Sequence, residues 1–302
     1  MPDTTNSKPM RYATSLPFVE AFYDPATATL TYLGADRAAG HAVIVDPVLD
    51  FDLRSGRTQE HSLALLGEAC GELKIDAVIE THAHADHLTA AMALRRRYGC
   101  TLVTGRSITK VQATWARLLN LEPSFRSDGS QFDRLMGEGD HLKVGDLDLE
   151  FWDTPGHTPS CQTIVLRGQG KTAAFVGDTL FMPDYGTART DFPGGDAVTL
   201  YRSIRRILDL PPETALFMCH DYCPNGRPVA FETTVAEERR SNIHIKDGIS
   251  EGEYVAMRTA RDKTLSVPTL LLPSIQVNIR AGAFPEPEAN GVSYLKLPLN
   301  QI

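Results

Sequence analysis

Thr81-His82-Ala83-His84-Ala85-Asp86-His87 directly follows the apolar run Ile75-Asp76-Ala77-Val78-Ile79-Glu80. That run reads as a short buried strand and residues 88–98 carry a helical pattern, so four metal-competent side chains, His82, His84, Asp86 and His87, stand at a strand end. Alternation sends His82 and His84 to the same side, and a turn into the helix can bring Asp86 and His87 back toward them. A solvated polar loop is the plain alternative for any single histidine. It is a poor one for HxHxDH, because clustering imidazoles with a carboxylate has an electrostatic and desolvation cost that a purely structural role rarely offsets.

Outward from this stretch the pattern recurs. Leu147-Asp148-Leu149-Glu150-Phe151 alternates strictly, as in a hairpin strand with one buried face, and runs into Asp153-Thr154-Pro155-Gly156-His157. A strand at residues 172–176 ends in Gly177-Asp178, and a helix at 197–208 leads to a strand at 215–219 that ends in His220. Turn chemistry alone accounts for His157 or Asp178 as well as ligation does. In series with the first motif, each at the end of an apolar run, they point to one composite site.

The remaining chain fits an α/β alternation. Strands are expected at 18–23, 29–33, 42–46, 101–104 and 163–166, and helices at 58–70 and 108–119. Beyond residue 231 come a charged helix at 233–240 and a capping box, Ser250 with Glu253, ahead of a helix to Asp262. Pro268, Pro273, Pro285, Pro287 and Pro298 predict an extended tail draped over the domain. The division is a catalytic domain at 12–245 and a C-terminal extension at 246–302 packed on it; no short-period repeat is visible.

The 302 residues suffice for a sizeable core, and a formal net charge of −8 argues against a broad nucleic-acid-binding face. No apolar run approaches membrane-span length, so a soluble protein without a membrane partner is expected. The first ten residues lack secretory and transit patterns, which makes the cytoplasm the default. Cys70, Cys100, Cys161, Cys219 and Cys223 form no CxxC pair and suggest thiols rather than a disulfide framework. Cys161 and Cys219 each lie within four residues of a proposed site histidine, which marks them for roles beside the site.

HxHxDH, a later Gly-His-Thr, a Gly-Asp after a strand and a final His together resemble the metallo-β-lactamase superfamily over residues 16 to 245. The fold this implies is an α/β, αββα sandwich with the metal at one edge. Two metal positions are implied: one of His82, His84 and His157, another of Asp86, His87 and His220, with Asp178 bridging. Asp86-His87-Leu88-Thr89-Ala90-Ala91 departs from the Asp-His-x-Gly-Gly of glyoxalase II-type thioesterases. With Arg189-Thr190-Asp191-Phe192, His220-Asp221-Tyr222, Val235-Ala236-Glu237-Glu238-Arg239 and Asn278-Ile279-Arg280-Ala281-Gly282, the series resembles the persulfide dioxygenases, in their bacterial β-lactamase-like hydrolase branch.

That resemblance implies one Fe(II) per chain, held by His82, His157 and Asp178. It implies oxidation of glutathione persulfide by O2 and water to glutathione and sulfite, a step of sulfide detoxification. It gives His84, Asp86, His87 and His220 a supporting catalytic role, and makes Arg189, Tyr222, Arg239 and Arg280 candidates for gripping the substrate. The interval 181–188 is longer than in the animal members, which affects the pocket wall. A dinuclear zinc hydrolase of glyoxalase II or lactonase type is the alternative, since all seven residues of a two-metal site are present; a persulfide sensor without turnover stands behind it. A homodimer is compatible with the sequence.

Overall fold

The computed structural model describes residues 8–301. Its strands assemble into two large sheets in which spatial order equals chain order. The first holds β1 (Met10–Ala13), β2 (Val19–Asp24), β3 (Thr29–Asp36), β4 (His41–Val45), β5 (Lys74–Glu80), β6 (Thr101–Gly105) and β7 (Arg134–Met136). Tight connections make β1 to β4 antiparallel. The later strands are joined through α1 (His61–Cys70), α2 (Ala91–Tyr98) and α3 (Ile108–Leu118), and such crossovers leave β4 to β7 parallel. Parallel strands are covered on both faces, which is why β5 is a near-continuous apolar run rather than an alternating one.

The second sheet holds β8 (His141–Val144), β9 (Leu147–Asp153), β10 (Gln162–Gly168), β11 (Lys171–Phe175), β12 (Ala215–Phe217) and β13 (Glu232–Thr234). It is antiparallel except where α4 (Ala197–Leu208) connects β11 to β12. Leu147, Leu149 and Phe151 are buried while the intervening side chains are partly exposed, as strict alternation predicts. They meet Tyr32, Val43, Val45 and Ile79 of the first sheet in the central layer. Leu63, Leu94, Trp115 and Ile275 cover the outer face of the first sheet. Leu200, Ile204 and Tyr254 cover the second. The result is the four-layer αββα sandwich expected from the sequence.

Three local expectations change. Leu88–Thr89 pairs with Val48–Leu49 in a small ribbon, so α2 starts at Ala91 rather than at residue 88. Residues 232–234 form β13 before α5 (Val235–Ser241) begins, with the Thr234 hydroxyl accepting from Glu237 N. The tail is not extended throughout: after α6 (Glu251–Asp262), whose Ser250–Glu253 capping box is present, α7 runs over Leu271–Asn278. Pro273 is tolerated there because it lies in the first turn, where a backbone N–H has no intrahelical acceptor.

Candidate metal centre

Four strand ends converge at one edge of the sandwich: β5 delivers His82, β9 His157, β11 Asp178 and β12 His220. Two glycines permit the convergence. Gly156 has φ +140°, and a Cβ there would sit 2.4 Å from Leu200 Cα of α4. Gly177 has φ +51°, and its Cβ would meet the Thr81 hydroxyl at 2.8 Å. Any other residue would push apart the turns that carry His157, Asp178 and His82.

Each of the five site histidines sets one ring nitrogen against a polar atom of the protein and leaves the other facing inward. His82 Nδ1 lies 3.1 Å from Thr81 Oγ1, itself a donor to Asp46 Oδ2. His84 Nε2 donates to Asp46 Oδ1 at 2.9 Å, and Glu80 Oε2 lies 3.4 Å away. His157 Nδ1 donates to the Arg189 carbonyl at 2.8 Å. His220 Nδ1 is 3.3 Å from the Ala28 carbonyl, and His87 Nδ1 is 3.4 Å from Thr29 Oγ1.

Two groups have their ligand atoms within 4.8 Å of one another and are built of histidine and aspartate alone: His82, His157 and Asp178, and His84, Asp86, His87 and His220; Cys219 forms two further groups, with Asp46 and His84 and with Asp178 and His220. Asp178 spans the first two. Its Oδ2 is 3.9 Å from His82 Nε2 and 3.7 Å from His157 Nε2, and its Oδ1 is 3.2 Å from His220 Nε2. The family pattern set His84 beside His82 and His157; here it lies between the groups, its ring centroid 4.0 Å from that of His82 and 4.3 Å from that of His87.

These residues fit a metal. His82 Nε2, His84 Nδ1 and His87 Nε2 are buried and without a hydrogen-bond partner, and His220 Nε2 and Asp178 Oδ1, 3.2 Å apart, are buried without a well-aligned hydrogen bond. Five such atoms facing one space would be costly unless a cation satisfied them. Burial and the neighbouring imidazoles push His82 well below its ordinary pKa, and burial with the His84 charge pushes His87 down to about 4. Both keep the lone pair that ligation needs. Burial would also depress His84, but Asp46 and Glu80 outweigh it and raise that imidazole well above its usual value.

A model of the metallo-beta-lactamase superfamily matches residues 29–220. The chain belongs to the metallo-beta-lactamase superfamily. A Burkholderia pseudomallei relative named a probable metallo-hydrolase is 54% identical over 292 residues, covering 94% of this chain and 99% of that protein. The mitochondrial persulfide dioxygenase of Mus musculus is more distant, at 34% over 261 residues, 86% of this chain and 87% of that one. The crystal structure of ETHE1 from Myxococcus xanthus matches with a TM-score of 0.68 at 31% identity, over 88% of this chain and 99% of its own. A metal-dependent superfamily enzyme is therefore the coarse identity of this protein.

A cavity of about 650 Å³ opens onto the superfamily site, reaching Asp86, His157 and Asp178. Phe181, Tyr185, Phe192 and Tyr222 form its aromatic wall. Of the residues expected to grip substrate, Arg189 and Tyr222 line it, although the Arg189 guanidinium is held by Asp191 and the Ser266 carbonyl and lies over Phe192. Arg239 and Arg280 do not. Arg239 points to the surface and pairs with Asp247 at 3.0 Å. Arg280 is buried against Phe125 and pairs with Glu122 at 2.8 Å. Both stand in family-like motifs in sequence, but α5 aims Arg239 at the surface and the turn after α7 packs Arg280 into the interior. Arg54, Arg258 and Arg261 are the other cations of the wall, and nothing in their local sequence marks them.

Sequence reading also missed the carboxylates behind His84. Asp46 binds Thr81 N and Oγ1 at 2.8 Å as well as His84, and Glu80 accepts from the Thr89 hydroxyl. Asp46, with φ +49° at the end of β4, carried one signal: an acidic residue closing an apolar strand beside the motif strand. Cys219 Sγ lies 3.7 Å from Asp46 Oδ2, and burial with that carboxylate holds its thiol well above the usual range. Burial pushes Cys161 up to about 12. Neither is an activated thiolate. Among the described residues no helix is long and apolar enough to cross a membrane.

Proposed function

We propose that this enzyme is a persulfide dioxygenase, converting glutathione persulfide, O2 and water to glutathione and sulfite at one ferrous ion. The observation that carries the reading is the grouping of His82, His157 and Asp178 beside the cavity. Two imidazoles and one carboxylate are the donor set of non-haem iron sites that keep positions open for substrate and dioxygen. Bound Fe(II) would supply redox chemistry and an anchor for the terminal sulfur. The protein supplies orientation: the Arg189 carbonyl holds His157, and the Phe192 ring packs edge-on against that imidazole at 5.3 Å, shielding it from water. His84 is engaged by Asp46 and Glu80, which suits it to supporting the site rather than holding the iron. The likeness to the mouse persulfide dioxygenase supports the reading.

A dinuclear zinc hydrolase acting on a thioester or ester is the second reading. The complete group of His84, Asp86, His87 and His220 favours it, and so does the greater identity to the relative named a metallo-hydrolase. By relatedness it is the better supported of the two, whereas the first donor set favours the dioxygenase. Anaerobic metal analysis joined to an oxygen-electrode assay with glutathione persulfide separates them. One iron per chain with steady oxygen uptake is expected; two zinc ions with thioester cleavage and no oxygen uptake would overturn the proposal.

A further inference from the structure

We infer that Asn278, in the C-terminal extension, is a positioning residue of the metal centre. Its carboxamide meets the ligand-bearing turn three times. Nδ2 donates to the carbonyls of His84 and His87, each at 2.8 Å, and Oδ1 accepts from Thr89 N at 2.9 Å. Those bonds use both donors and the acceptor of the amide, and Asn278 is 3% exposed. The two carbonyls bracket Ala85 and Asp86, so the turn carrying His84, Asp86 and His87 is tied to a helix almost two hundred positions downstream. The approach is close beyond the side chain as well: a Cβ on Gly282 would lie 3.1 Å from the Thr89 carbonyl and 3.0 Å from Met92 N.

Without the carboxamide, two carbonyls and one N–H around a buried turn lose their partners, and the turn must shift to find others. Ligand atoms tolerate displacements of only about 0.5 Å before affinity suffers. Asn278 therefore acts through His84 and His87 without touching substrate. The inference presupposes metal binding: under the two-metal reading the tied turn carries ligands themselves, and under the one-iron reading it carries the side chains that support them.

The test uses the full chain, stripped with chelator and titrated with cobalt(II), read by calorimetry and by visible ligand-field absorption. Asn278→Ala is expected to bind cobalt about 10- to 100-fold more weakly, as for other outer partners of metal ligands, with a changed spectrum. Gln276→Ala is the control. Gln276 is buried on the same helix but bonds only Leu272 and Lys296, so its loss loosens the tail without reaching the ligands. That variant is expected to keep wild-type affinity and spectrum. If Asn278→Ala does not fold, Asn278→Asp, which keeps an acceptor for Thr89 N and loses both donors, carries the same expectation. Wild-type cobalt binding in the Asn278 variant, or an equal loss in Gln276→Ala, overturns the inference.

Discussion

Asp178 reaches both ligand groups, His82 and His157 through Oδ2 and His220 through Oδ1. Asp178→Ala is expected to lose bound metal and turnover together, by more than the roughly 100-fold typical of outer partners, as checked by metal analysis alongside rate. A variant with full occupancy and full rate would refute the ligand assignment. Arg239 gives the opposite expectation. Family resemblance nominated it for substrate, yet its guanidinium is exposed and paired with Asp247. Arg239→Ala should leave KM unchanged within about twofold and cost less than about 1 kcal/mol of stability, the usual scale of a surface ion pair. The difference lies in direction: sequence identifies a cation, whereas the helix phase decides where it points.

Among the elements, α6 shows why the extension matters to the site. Arg258 donates to the Thr187 carbonyl, and Asp262 accepts from Thr190 N and Oγ1, each at 2.9 Å. These bonds bracket Arg189, whose carbonyl holds His157. Arg258 and Asp262 are also ion-paired to each other at 2.6 Å and almost fully buried. Asp262→Ala leaves the guanidinium buried without its partner, which typically costs about 3–5 kcal/mol. Urea unfolding should show that loss, and weaker metal binding should accompany it; a loss under 1 kcal/mol, below about a third of that range, would show that Arg258 finds another partner. The helix itself was legible from its capping box, but its partners were not, because they lie some seventy residues away.

For the molecule as a whole, two buried groups outside the metal site set a pH dependence. Burial raises Glu238 to about 8, with Asn242 as its only side-chain partner among the described residues, and burial lowers His244 to about 4. Glu238 binds its proton more tightly folded than unfolded, so its contribution is complete below its ordinary value and is lost as pH rises toward 8. His244 is neutral when folded, so its contribution is complete above its ordinary value and is lost as pH falls toward 4. Stability should therefore decline at both ends, by at most about 1.4 kcal/mol per pH unit for each group. Glu238→Gln should flatten the alkaline decline between neutrality and pH 8 in denaturant titrations. An unchanged slope would mean that Glu238 is ionised in the folded state.

Local pattern along the chain was enough for the layered fold and for the order in which ligands arrive. Alternation in β9, the continuous apolar run of β5 and the Gly-bearing turns are local patterns, and each placed a metal-competent residue at a strand end. Tertiary structure decided which histidines group together, that Asp46 and Glu80 stand behind His84, that Asn278 ties the ligand turn, and that Arg54, Arg258 and Arg261 rather than Arg239 or Arg280 line the cavity. Those relations join residues far apart in the chain through hydrogen bonds with no periodicity. Helix phase and strand register had to exist before they could be read.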